Sequence, residues 1–414
     1  MKAIFDERQW KHDPRHFMAN GAILPNPEQP KRIEVLKAAA TAAGCAFENP
    51  PDEGMGPIAA LHTAEYIDFL KNIYTRWKRI EGAGEEVIPN IHPANRTDSY
   101  PRSAVGQAGY HQADTACPIM EHTFEAAYWS AQTAVRGADH IAWGERAAYA
   151  LSRPPGHHAF ADMAGGFCYV NNSGVAAQVL RSAHDRVAIL DVDLHHGNGT
   201  QGMFYDRPDV LTVSLHCDPA RFYPFFWGYA DERGEGAGHG YNFNLPLPRH
   251  APDDVFLEAL DRGIERVRAY APGALVVALG LDAYVGDPFG GLFAVGRGRG
   301  VVGVVAVGQD VDVCLDVGEH APHHVALAAQ GLAHHHRAGG RGDLAGPVGG
   351  GVVVDVDAGL GQGAPEILDH LGDGRFLVVA GQQDGDTGRL CLPGLSQGGL
   401  LIVDGVALHR LLTC

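Results

Sequence analysis

Positive charge is what this sequence is short of. Its 414 residues hold 32 Lys and Arg against 49 Asp and Glu, a formal charge of −17, and Lys78 is the last lysine. That deficit excludes nucleic acid or an anionic membrane surface as a partner held by charge, and favours a small cationic one. Seven scattered cysteines (Cys45, Cys117, Cys168, Cys217, Cys314, Cys391, Cys414) with no C-x-x-C pair argue against a disulfide framework and fit a reducing cytoplasm. No apolar run approaches bilayer length, and the opening Met1-Lys-Ala-Ile-Phe-Asp-Glu-Arg8 turns charged too early for a signal peptide. None of the glycine clusters reads G-x-x-x-x-G-K-[ST], so no phosphate-cradling loop is indicated. What is present, 45% hydrophobic and 20% charged residues, is enough to fill a sizeable core.

The chain changes character near residue 293. Before it, segments 32–44 and 253–270 have helical patterning, the second with Val255, Phe256, Ala259, Leu260, Ile264 and Val267 on one face behind an Asp253 cap. Val187–Leu190, Val210–Leu215 and Ala274–Leu281 read as strands apolar on both faces. That combination predicts an α/β fold, a mostly parallel sheet with helices on both faces, over residues 1–292. Segment 89–116, rich in Pro, Asn, Asp and Ser, reads as a long loop insertion.

Residues 293–414 are a Gly/Val/Ala-rich tail. They hold 26 glycines in 122 residues, far above the usual ~7%, and no Lys, Asn, Tyr, Trp or Met. The missing types are mostly those of A/T-rich codons, which points to a reading-frame error in G/C-rich DNA or to a disordered appendage. Its His334-His-His, His323-His, Asp310-Val-Asp312 and Arg341-Gly-Asp have no strand-end context and are read as incidental.

Chemistry concentrates elsewhere. Asp191-Val-Asp-Leu-His-His-Gly-Asn-Gly-Thr200 follows directly on a predicted strand, where ligands gather in open parallel sheets. Extended residues two apart point the same way, so Asp191, Asp193 and His195 can share a face while Gly197 and Gly199 let the chain turn away. Asp282 ends another predicted strand in the same crevice. Two carboxylates and an imidazole suit zinc, or Fe(II), and leave a coordination position open for water. For any single Asp, a helix cap or surface acid is the simpler reading; the joint pattern weighs against it. Arg153-Pro-Pro-Gly-His-His158 offers two adjacent imidazoles, a pairing suited to general acid/base work more than to ligating one metal. Asp191 and Asn198 can orient the two rings through their second nitrogens.

Together with Gly165-Gly-Phe-Cys-Tyr-Val-Asn-Asn172, Val213-Ser-Leu-His216 and Gly280-Leu-Asp-Ala283, these motifs occur in the order of the histone deacetylase family, which the chain resembles over roughly residues 1–292. Within it, Gly106-Gln-Ala-Gly-Tyr110 and His196-Gly-Asn-Gly-Thr-Gln201 look most like the bacterial acetylpolyamine amidohydrolase branch. The resemblance implies the arginase–deacetylase fold, zinc on Asp193, His195 and Asp282, and His157 and His158 as catalytic general acid/base residues with Asp191 and Asn198 as partners. It implies a substrate tunnel lined by Gly166, Phe167 and Tyr223, and a structural potassium ion on the backbone around Asp191, Asp193, His195, Ser214 and Leu215. It further implies a homodimer whose long loop narrows the mouth and offers acids, here Asp98 and Asp114, to a polyamine's distal ammonium; Val105 stands where another acid is expected. The implied activity is removal of acetyl groups from acetylated polyamines or related small amines, with protein acetyl-lysine deacetylation or a catalytically dead metal-binding homologue as alternatives.

One departure stands out. The family carries a catalytic tyrosine in a Glu-Gly-Gly-Tyr-type loop about forty residues beyond Asp282, whereas Tyr284 is the last tyrosine here. His320 lies at about the right distance to replace it. The region abnormal in composition is thus also the region lacking the motif. Loss of its strands is expected to leave a sheet edge uncovered. Translating the coding DNA beyond residue 292 in its other two frames is expected to restore an α/β pattern with a tyrosine loop; no such pattern in either frame would overturn the frame-error explanation.

Overall fold

The computed structural model describes residues 1–93 and 99–283, and beyond them the backbone of four strands, Val313–Asp316, Gln382–Gln383, Arg389–Leu392 and Gly399–Val403. Asp98, His320 and the boundary at residue 293 lie outside the described residues.

Among the described residues eight strands form the main sheet: β1 Lys2–Ile4, β2 Ala46–Glu48, β3 Ala147–Ala150, β4 Val187–Asp191, β5 Val210–Cys217, β6 Asn242–Leu247, β7 Ala274–Ala278 and β8 Gly399–Val403. Their order is β2-β1-β3-β8-β7-β4-β5-β6, and every pair is parallel. The edges are therefore β2 and β6. The position taken by β8, between β3 and β7, is interior. The last strand in sequence is thus present at an interior position, and losing it would bare β3 and β7 rather than one outer edge.

The helices are α1 Lys31–Ala42, α2 Gly56–Ala59, α3 Ala64–Trp77, α4 Ala104–His111, α5 Thr123–Ala142, α6 Asn172–Leu180, α7 Asn198–Phe204 and α8 Asp253–Tyr270. Strand alternation divides the core. Ala188, Leu190, Leu275 and Val277 pack with residues of α1 and α8 on one face. Val187, Ile189, Ala274 and Val276 pack with residues of α5 and α6 on the other. Both faces are covered, which is why these strands are apolar on both sides up to Asp191 at the end of β4.

Three details differ from the sequence reading. Asp253 is the first helical residue of α8 rather than its cap, the N-cap being Pro252; Asp253 and Asp254 sit in the first turn, where carboxylates favour the helix dipole. Strand β7 stops at Ala278, short of Leu281, because the chain must bend to bring Asp282 inward. Segment 89–116 contains helix α4, capped by Ser103 Oγ accepting from the Gly106 amide at 3.1 Å. No helix among the described residues is long and apolar enough to cross a membrane. Cys45, Cys117, Cys168 and Cys217 are buried free thiols.

Register decides where the site forms. Asp191 at the end of β4 pairs with Ser214 of β5 and with Ala278 of β7. Beyond that level Val192 N donates to Ala278 O at 2.9 Å, and Cys217 N to Leu194 O at 2.8 Å. The loops after β4 and β7 therefore leave the sheet side by side, at the carboxyl ends of parallel strands.

The loop after β3 is anchored by a buried charge cluster. Arg153 Nε donates to Glu28 Oε1 at 2.8 Å, its second guanidinium nitrogen lies 2.8 Å from Oε2, and Arg32 reaches Oε1 at 2.7 Å. Burial works to raise the Glu28 pKa, but Arg153 and Arg32 outweigh it and hold it below the usual value. Nearby His12 is pushed down to about 3, by burial and then by the two arginines acting against Glu28. Burial likewise lowers His62 and His216 to about 4 each.

These three histidines stay neutral in the folded chain and take protons when it unfolds. Their stabilisation is complete above the ordinary histidine pKa of about 6.5 and is lost as pH falls from there toward 3–4. The unfolding free energy is expected to drop through this window by about 1.4 kcal/mol per pH unit for each histidine. Urea midpoints that stay level between pH 7 and pH 5 would contradict it.

Candidate active site

The residues after β4 do not all serve one purpose. Asp191 Oδ2 accepts from His157 Nδ1 at 2.8 Å, and its Oδ1 accepts from the Asp193 amide at 3.1 Å. Asp191 thus supports a ring and the following turn. It is not part of the cluster able to hold a metal, which consists of Asp193, His195 and Asp282, with one ligand atom from each lying within 4.8 Å of the others.

The two carboxylates of that cluster are 1% exposed. They are aimed by backbone amides: His195 N donates to Asp193 Oδ1 at 2.7 Å, and Leu194 N donates to Asp282 Oδ1 at 3.0 Å. His195 Nδ1 lies 2.7 Å from Asp282 Oδ2 and 3.3 Å from Asp193 Oδ1, and Phe222 stacks on its ring at 4.9 Å. Burial opposes the imidazolium charge, yet hydrogen bonds and the charges of Asp193 and Asp282 prevail and raise the His195 pKa to about 10. Two buried carboxylates facing one imidazole carry an excess of negative charge. Oxygen and nitrogen donors with that imbalance fit a divalent cation, which replaces the proton.

The tandem histidines stand beside this cluster, their rings 4.0 Å apart. His158 Nδ1 donates to Asn198 Oδ1 at 2.7 Å, while His157 Nε2 is 4.0 Å from Asp193 Oδ1. One ring therefore leans on a carboxylate and the other on a neutral amide. Asn198 opens helix α7 after Gly197.

Gly197 has φ −73°, so no left-handed turn occurs there. Its need is close approach, since a Cβ would come within 2.3 Å of Asp191 Oδ2. The sharp turn expected at Gly197 and Gly199 is corrected on this point: both positions lack room for a side chain, and neither is among the positive-φ residues. Gly280 is as tight, its Cβ position lying 2.1 Å from Asp193 Oδ2.

Three further segments come together beside the tandem histidines. Gly166, at φ +50°, lies against the His158 ring, and Phe167, at φ +67°, faces Phe17 at 5.8 Å. Tyr223 stands edge-on to His158 at 5.0 Å. Asp114 joins these pieces: Oδ2 accepts from the Tyr223 hydroxyl at 2.6 Å and the Gly166 amide at 3.0 Å, and Oδ1 from the Ala116 amide at 2.8 Å. Burial and then Asp114 raise the Tyr223 phenol well above its usual pKa, so it stays a donor. Both Asp114 oxygens are therefore engaged in holding the wall. Phe222 and Glu28 were missed from sequence. The aromatic run Phe222-Tyr-Pro-Phe-Phe-Trp227 was a signal for the first; nothing local distinguishes Glu28 from a surface acid.

Comparisons with known proteins bear on the family and the fold. Residues 26–298 match the histone deacetylase domain. The chain is 47% identical over 289 residues to an acetylpolyamine amidohydrolase of Burkholderia pseudomallei, covering 70% of this chain and 84% of that protein. It is 41% identical over 292 residues to the acetylpolyamine amidohydrolase of Mycoplana ramosa, covering 70% and 85%. The crystal structure of acetylpolyamine aminohydrolase from B. pseudomallei superposes with a TM-score of 0.70 at 47% identity, over 71% of this chain and 86% of that one.

Gly280→Ala is expected to weaken binding of a divalent metal by at least about tenfold without removing a ligand, because the new methyl displaces the Asp193 carboxylate. Competition against a chromogenic chelator measures this, and wild-type affinity in the variant would contradict it.

Proposed function

The chain belongs to the histone deacetylase family, a family of deacetylases and amidohydrolases, and from that premise we propose that it is a zinc-dependent amidohydrolase of acetylated polyamines or related small cationic amines. The observation that carries this reading is the juxtaposition of the Asp193, His195 and Asp282 cluster with two imidazoles whose Nδ1 atoms are both engaged. Zinc bound there supplies Lewis acidity toward an amide carbonyl and lowers the pKa of water. Asp193, His195 and Asp282 hold it, and Asp191 and Asn198 fix the tautomers of His157 and His158, so that Nε2 is the proton-exchanging nitrogen of each ring. One ring takes a proton from the attacking water, and a proton is returned to the leaving amine. Gly166, Phe167 and Tyr223 shape the passage for the acyl group.

Further parts of the reading rest on the resemblance. A potassium ion is assigned to the backbone around Asp191, Asp193, His195, Ser214 and Leu215; the β4–β5 pairing of Asp191 with Ser214 supports it by bringing these segments together. The chain is assigned to the cytoplasm, acting as a homodimer. Lacking a tyrosine beyond Tyr284, it has no phenol from that region to steady the developing oxyanion, a loss of about 10²–10³ in rate.

Acetate release from N-acetylputrescine by the zinc-loaded chain tests the reading. Turnover is expected to be slower by that factor than in a tyrosine-bearing relative and to vanish in His158→Ala. Release that survives His158→Ala, or turnover confined to acetyl-lysine peptides, would overturn it.

A further inference from the structure

Beyond Tyr223 the chain displays three aromatic rings for which the reaction has no use. Phe225, Phe226 and Trp227 are 48%, 77% and 36% exposed. They form a continuous row: Tyr223 to Phe225 at 6.3 Å, Phe225 to Phe226 at 6.5 Å, Phe226 to Trp227 at 6.0 Å, and Trp227 to Phe160 at 5.2 Å. Tyr223 touches His158, and Phe160 lies two residues beyond it, so the row begins and ends on the wall that carries the tandem histidines.

The loop is fastened from beneath. Phe225 N donates to Phe222 O at 3.0 Å, the Tyr229 hydroxyl to Phe225 O at 2.8 Å, and Gly228 N to Glu232 Oε2 at 2.8 Å. Phe225 sits at φ +63°, a conformation that costs a non-glycine residue energy. Gly228, at φ +104°, has no room for a side chain against His196 and His216. A strained, internally bonded loop that holds large rings in water, continuous with a catalytic wall, is built to meet a ligand.

The chemistry of that ligand follows from what surrounds the row. Asp114, the described acid at the wall, is committed to Tyr223 and Gly166. Among the described residues no lysine or arginine lies over Tyr223, Phe225, Phe226 or Trp227; the nearby guanidinium of Arg249 lies instead over Phe222, at 5.9 Å. Ring faces without a cation of their own, on a chain of net charge −17, attract one from solution.

We propose that Phe225 and Phe226 form an aromatic shelf outside the passage that receives the distal ammonium of an N-acetylated diamine. This deepens the amidohydrolase reading and rests on it. The shelf sets preference for a charged over a neutral amine, and the acids expected at the mouth are not required for it.

Calorimetric binding to the zinc-loaded full chain tests the shelf without requiring turnover, with N-acetyl-1,5-diaminopentane and the neutral N-pentylacetamide as probes. Wild type is expected to bind the cationic probe about tenfold more tightly than the neutral one. Phe225→Leu and Phe226→Leu, which keep apolar bulk but remove the ring face, are expected to weaken the cationic probe by roughly three- to tenfold and leave the neutral one within about twofold. An unchanged preference in both variants overturns the shelf while the amidohydrolase reading stands. Neither probe binding to wild type removes that reading and the shelf with it. If sedimentation finds that Phe226→Leu dissociates a dimer with the preference intact, the row is a contact between copies and the proposal fails.

Discussion

Two buried carboxylates held against one imidazole are the constraint around which this molecule is arranged. Asp193 and Asp282 come from loops after different strands and would repel each other if left without a cation. Backbone amides aim both of them, and Gly280 lies where a side chain would strike the Asp193 carboxylate. The register of β4, β5 and β7 brings the loops out at one level. The largely apolar make-up of those strands follows in turn from the helices packed on both faces.

A second division of labour lies in the tandem histidines. Adjacent in sequence, they have different partners, a carboxylate for His157 and a neutral amide for His158. The two rings are therefore fixed by chemically different groups, one charged and one neutral, although they stand side by side. Their loop is tied at its root to the buried Arg153–Glu28 pair, so that its geometry depends on a charge cluster in the interior and little on the solvent-facing surface.

Much of this was legible in the sequence, for physical reasons. Strands buried on both faces are rich in apolar residues on both faces, so Val187–Leu190 and Val210–Leu215 stood out. Short β1 and β2 left no such mark. Asp193, His195 and Asp282 were legible because strand-end acids in this pattern have few other uses. The role of Asp114 was less legible: a carboxylate in a loop can face a ligand or brace a wall, and only the hydroxyl of Tyr223, 109 residues away, shows that it braces one. The aromatic row from Phe225 to Trp227 was equally hidden, because exposure is a property of the folded loop and exposed rings look like core rings in sequence. Helix α4 was lost in a segment judged by its Pro, Asn and Asp content; its Ser103 cap was the available signal.

The most direct test of the account is the metal content of the purified chain after saturation with zinc and removal of the excess, compared with the double variant Asp193→Ala, Asp282→Ala. The account predicts one zinc per wild-type chain and none in the variant. No bound zinc in a folded wild-type chain, or equal content in both proteins, would contradict it.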